Sequence, residues 1–256
     1  MIQGSLICLE RRGTDATLSS WLTTAMWQLF KAEQDGLTGY IYWPQGRSPA
    51  DHQDAEAFFK IPNMFEWYFE QPKIAAIPAH TETRVFEDAP DYSLITQPEP
   101  FIKQYFQRYL RFNKEAVKRA SELETKYGLN ALDLIGVSWR GTDSSTDGRK
   151  RQPIESFFPD IDRILTTNPN SRIFAKAEEE TVVDPLLKRY SNAFTIPEFH
   201  NAPFKSQYVP ERTSPFTGYE RGMQVVLMIW AFSRCRYLIK NQSNSGAISS
   251  YLSPHL

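Results

Sequence analysis

A chain of 256 residues with a formal net charge of −1 is long enough for one large α/β domain or for two of about half that size. Nothing in its balance of 29 basic and 30 acidic side chains points to nucleic acid or an acidic membrane as a partner. The one basic run, Arg149-Lys150-Arg151, is too short for a polyanion-binding stripe. No apolar stretch reaches the length of a membrane span, Val225 to Phe232 being the longest candidate, and the N-terminus lacks the basic-then-apolar pattern of a secretion signal. Cys8 and Cys235 both sit inside apolar stretches and read as buried thiols of a reducing compartment, so a cytoplasmic protein is expected.

In chain order, Leu6 to Leu9 is the first strand candidate, followed by the polar loop Glu10-Arg11-Arg12-Gly13-Thr14-Asp15. Leu18, Trp21, Leu22, Ala25, Met26, Leu29 and Phe30 recur at spacings of three and four, which predicts an amphipathic helix. Gly36 or Gly39 ends it, and Tyr40 to Trp43 reads as the next strand. Residues 44 to 100 hold eight of the 17 prolines and a dense set of aromatics, so short elements threaded through irregular loops are expected. Phe101 to Tyr127 is the longest helical stretch, with a break near Asn113 and a stop at Gly128.

The second half repeats the rhythm. Strands are expected at Leu134 to Trp139, Arg172 to Ala175, Ala193 to Ile196 and Tyr237 to Lys240. Helices are expected at Pro153 to Leu165, Glu179 to Tyr190 with a kink near Pro185, Tyr219 to Ser233, and Asn244 to Leu252. Strands alternating with helices imply a mostly parallel sheet. Two such series around the helical stretch suggest two α/β domains, residues 1–130 and 131–256.

The densest chemistry lies where the strand Leu134 to Trp139 runs into Arg140-Gly141-Thr142-Asp143. Open α/β sheets bind ligands at the carboxyl ends of their strands. An arginine there suits a phosphate, because its fork of N–H donors matches phosphate oxygens. A polar turn capped by its Asp is the plainer alternative. A metal site is not expected: His52, His80, His200 and His255 are isolated, and no His or Cys pair has ligand spacing. Glu178-Glu179-Glu180 reads as an acidic helix start. The P-loop and the G-x-G-x-x-G fingerprint are both absent.

The run Gly136-Val137-Ser138-Trp139-Arg140-Gly141-Thr142-Asp143 resembles the His-x-Arg-(Arg or Gly)-x-Asp motif of the fucosyltransferase-like glycosyltransferases, a group that includes α1,6-, nodulation and protein O-fucosyltransferases. Two more matches follow in order. Glu220-Arg221-Gly222 opens an apolar helix that leads to Arg236-Tyr237-Leu238-Ile239-Lys240, and Asn241-Gln242-Ser243-Asn244-Ser245-Gly246 is similar to the family's hydroxyl-rich loop before its last helix. In the first half, only Arg12-Gly13-Thr14-Asp15 before a helix is similar. Ser138 stands where the family has His, Gly141 where the α1,6-type has a second Arg, and Ala177-Glu178 where a carboxylate reads the base.

The resemblance implies a GT-B-like fold of two facing Rossmann-like domains with a cleft, the N-terminal one serving the acceptor and the C-terminal one the nucleotide sugar. It implies transfer of L-fucose from GDP-fucose to a glycan hydroxyl with inversion and without a metal cofactor. Arg140 is expected on the donor pyrophosphate, with Ser243 and the amides of Asn244 and Ser245 on a phosphate. Thr142 is expected beside the donor, Glu178 toward the base, and Asp143 as support for the arginine loop or for a neighbouring donor group. Asp147 is the preferred general base, with Asp143 and Asp15 as alternatives. Another donor, UDP-xylose or a different GDP-sugar, and an inactive glycan- or nucleotide-binding module of the same fold stay open as alternatives.

Overall fold

A computed structural model describes residues 6–11, 18–43, 63–71, 82–86, 100–130, 133–140, 152–177, 180–199, 217–241 and 243–255. The chain divides into two compact units, Met1–Arg119 with Phe216–Val226, and Ala120–Pro215 with Leu227–Leu256. Each is a mixed α/β assembly on a parallel sheet.

In the first unit, β1 (Leu6–Arg11) lies between β2 (Thr38–Tyr42) and β4 (Glu82–Phe86) and runs parallel to both. Helix α1 (Leu18–Gln34) carries the crossover from β1 to β2. Its face of Leu18, Trp21, Leu22, Ala25, Met26 and Leu29 is buried, as the spacing requires. The helix stops before Gly36, whose φ of 71° is open to a residue without Cβ. Trp21 meets Trp43 edge-on at 5.2 Å, and Trp43 meets Phe65 at 5.3 Å. The described aromatics Phe65, Trp67, Tyr68 and Phe69 thus serve a core.

Side-chain amides protect the outer edge of β2. Gln71 accepts from the Ile41 N–H at 3.2 Å and donates to its carbonyl at 2.9 Å. Asn63 accepts from the Trp43 N–H at 3.0 Å and donates to the Ile41 carbonyl at 2.8 Å. These bonds occupy backbone groups that an open sheet edge would otherwise offer to another chain.

The helical stretch after residue 100 is two helices, α2 (Pro100–Tyr109) and α3 (Lys114–Tyr127), parted by β5 (Arg111–Phe112). The short β5 pairs antiparallel with β3 (Phe69–Glu70). Asn113 makes the break: its Oδ1 accepts from the Ala116 N–H at 2.9 Å, and its Nδ2 donates to the Trp67 carbonyl at 2.7 Å. One residue thereby caps α3 and anchors the turn. At the other end Gly128, with φ 62°, lets the Leu129 N–H return to the Glu124 carbonyl at 3.1 Å, a Schellman closure.

The second unit has four parallel strands in the order β8 (Ala193–Phe194), β7 (Arg172–Ala177), β6 (Leu134–Trp139), β9 (Tyr237–Lys240). All six residues of β6 are buried, as a central strand covered on both faces requires. On one face Ile135, Val137, Trp139, Ile173 and Ala175 pack with Ile161 of α4 (Phe158–Thr167) and Leu186 of α5 (Asp184–Arg189). On the other, Phe174 meets Phe232, near the end of α6 (Gly218–Ser233), with ring centres 4.7 Å apart and planes tilted by 30°. Pro185 does not kink a long helix. The expected helix begins as the 3₁₀ turn Glu180–Val183, and Pro185 sits in the first turn of α5, where its missing N–H costs nothing.

Gly136 of β6 is required by packing. A Cβ there would stand 2.9 Å from both Cys235 Sγ and Phe232 Cδ1. Gly136→Ala should cost about 1–3 kcal/mol of stability as overpacking of a filled core, measured as a lower denaturation midpoint at unchanged slope. Cys235 is buried and free, and burial pushes its thiol well above the usual range. The side chain of Cys8 is not among those described. Among the described residues, no helix is long and apolar enough to cross a membrane.

Candidate functional site at the carboxyl ends of the second sheet

Three described strands of the second unit, β6, β7 and β9, deliver polar residues at their carboxyl ends. Arg140 directly follows β6 and is half-buried. Its backbone is held on both sides by one side chain. Its N–H donates to Asn241 Oδ1 at 2.8 Å, and its carbonyl accepts from Asn241 Nδ2. Asn241 directly follows β9, so this amide ties the ends of the two neighbouring strands together and fixes where the arginine side chain starts.

Three residues beyond Lys240 the chain turns into α7 (Asn244–Leu252). Ser243 is its N-cap: φ is −155°, ψ is 147°, and its Oγ accepts from the Gly246 N–H at 3.1 Å. A serine in extended backbone ahead of a helix is what this geometry selects. The capping bond uses a lone pair of Ser243 and leaves its hydroxyl hydrogen to donate. The N–H groups of Asn244 and Ser245 occupy the first two helical positions, where no intrahelical acceptor exists. With the positive end of the helix dipole, they favour an anion. Among the described residues, no donor reaches the buried Asn244 Oδ1, an acceptor that a ligand hydroxyl would satisfy.

Sequence reasoning assigned no role to three residues here. Asn241 is the first. Lys176 and Lys240 are the others. Ser138 of β6 is in register with Lys176 of β7 on one side and with Lys240 of β9 on the other. Ser138 is buried, and burial holds the Lys240 ammonium below the usual lysine range. Lys176 Nζ donates to the Ala177 carbonyl at 2.6 Å. The sequence shows Lys240 only as a charged residue closing the apolar run Tyr237-Leu238-Ile239, which does not say what it faces.

Of the residues expected at the site, Arg140, Ser243, Asn244 and Ser245 are thus placed at the same end of one sheet. Thr142, Asp143, Asp147 and Glu178, with Asp15 of the first unit, lie outside the described residues. Among the described residues, no group of three or more His, Cys, Asp or Glu side chains is arranged to hold a metal.

No protein-family model matches the chain, and no curated protein matches it. Solved structures do. NodZ α1,6-fucosyltransferase soaked with GDP-fucose aligns over 98% of this chain and 94% of its own, with a TM-score of 0.57 and 16% identity. The same enzyme co-crystallised with GDP aligns over 99% and 94%, with a TM-score of 0.58 and 15% identity. Fucosyltransferase NodZ from Bradyrhizobium gives 0.54 at 15% identity over the same shares. The chain therefore has a fucosyltransferase-like fold along nearly its whole length.

Proposed function

We propose that the chain is a glycosyltransferase that moves a sugar, by default L-fucose from GDP-fucose, to a glycan hydroxyl with inversion. The observation that carries the proposal is the convergence of Arg140, clamped through Asn241, with the first turn of α7 at the carboxyl ends of one parallel sheet. The likeness to a fucosyltransferase soaked with GDP-fucose supports the same reading. In this reading residues 131–256 form the donor domain and residues 1–130 the acceptor-side domain of a GT-B arrangement.

Breaking the anomeric C–O bond builds negative charge on the departing diphosphate and positive charge on the sugar. The guanidinium of Arg140 and the amides of Asn244 and Ser245 favour that separation, as preorganised donors do at any developing oxyanion. Ser243 donates its hydroxyl hydrogen to a phosphate oxygen while its lone pair keeps the helix capped. These groups take over the neutralising work that a divalent cation performs in other transferases, so no metal is assigned. In this reading Thr142 and Glu178 are assigned to the donor, Asp143 to support of the arginine loop or of a neighbouring donor group, and Asp147 to the proton of the acceptor hydroxyl.

Calorimetric titration with GDP, UDP and their sugars tests the proposal. GDP should bind in the micromolar-to-millimolar range and UDP more weakly. Preference for UDP would reassign the donor, and binding of neither nucleotide would remove the proposal.

A further inference from the structure

We infer that Lys240 is a ligand of the departing diphosphate, placed beside the first turn of α7 to complete the cationic side of the donor site. The inference rests on the nucleotide-sugar reading of that site. It adds a residue which none of the matched motifs assigns to phosphate.

Two geometric observations carry it. Lys240 closes β9 in register with Ser138, and Ser138 is in register with Lys176. Residues in register on parallel strands point to the same face. Lysine, buried serine and lysine therefore form one row across the carboxyl ends of three strands. The Lys240 stem also lies against α7. A Cβ built on Gly246 would come within 2.8 Å of both Lys240 Cδ and Ser243 Oγ. An ammonium beside a helix N-terminus faces the positive end of the dipole, the wrong sign for stability.

Nothing described compensates this charge. Among the described residues, Lys240 makes no hydrogen bond or ion pair, and burial alone lowers its proton affinity. The neighbouring elements add Lys176 at the end of β7 and Arg140 just past β6, both cations, and the first turn of α7 carries no titratable side chain. A half-buried cation among cations and helix amides is destabilising by itself. A bound diphosphate adds an attraction to each of these groups and so offsets their mutual repulsion. Sites that break a stability rule in this way are where function is expected.

The arrangement ties stability and binding together with opposite signs. The folded-state pKa of Lys240 lies below its unfolded value of about 10.4. The penalty is therefore fully present below the folded pKa and disappears as pH rises past the unfolded one. Removing the charge at neutral pH should stabilise the ligand-free chain while weakening its hold on diphosphate.

The experiment compares wild type, Lys240→Met and Lys240→Arg at pH 7. It measures thermal unfolding without ligand and calorimetric titration with inorganic pyrophosphate and with GDP. Lys240→Met should melt higher than wild type and bind both ligands about tenfold more weakly, which corresponds to about 1.4 kcal/mol. Lys240→Arg should recover most of the affinity. Wild-type binding of pyrophosphate that Lys240→Met matches within twofold would overturn the inference and leave the transferase reading standing. Failure of the wild type to bind either ligand would overturn both. Should Lys240→Met unfold early, the inference also falls, because it requires the lysine to destabilise the free chain.

Discussion

Arg140→Ala should lower kcat/KM for donor hydrolysis or transfer by about two to three orders of magnitude, the scale of removing one preorganised oxyanion donor. The loss should appear mainly in kcat, because charge on the diphosphate is greatest in the transition state. The fold should survive. The backbone of Arg140 is held by the side chain of Asn241 and by the end of β6, neither of which depends on the guanidinium. Asn241→Ala should reduce kcat in the same direction by releasing that backbone, and Arg140→Lys should fail to rescue, since one ammonium does not replace a bidentate fork. A loss below threefold in a folded Arg140→Ala variant would remove Arg140 from the chemistry.

Asp147→Asn should cost about 10²–10⁴-fold in transfer, the usual range for a lost general base, and leave nucleotide affinity nearly unchanged. The split between the two readouts is the test. A donor-site residue would lose both, whereas a base acts only on the acceptor hydroxyl. Asp147 follows Arg140 by a few residues and precedes Gly148, and its role rests on that sequence position. Normal transfer by Asp147→Asn would pass the role to Asp143 or Asp15, with the same pair of measurements deciding between them.

Much of the second unit was legible from residue order, for physical reasons. β6 is a continuous apolar run because both its faces are covered, and such runs are hard to misread. Ser243 ahead of Asn244 is an N-cap signal that geometry obeys. The rest depended on contacts between residues far apart in sequence. Strand β4 pairs with β1 across some seventy residues of proline-broken chain, and local periodicity carries no trace of such pairing. Pro185 suggested a kink, but proline settles as readily into a first helical turn, and local sequence does not distinguish the two. Asn241 is named in the sequence only as the first residue of the loop before the last helix, and its role comes from its two bonds to Arg140; Lys240 gains meaning only from the register of β9 with β6.

The most direct measurement of the central claim is a time course of purified protein with GDP-fucose, followed for GDP and free sugar, with Arg140→Ala as control. Wild type should release GDP and fucose slowly and in equal amounts even without acceptor, and the variant should release neither above buffer. A wild-type protein that releases no GDP from GDP-fucose, and no diphosphate from any other nucleotide sugar in a panel, would contradict the account.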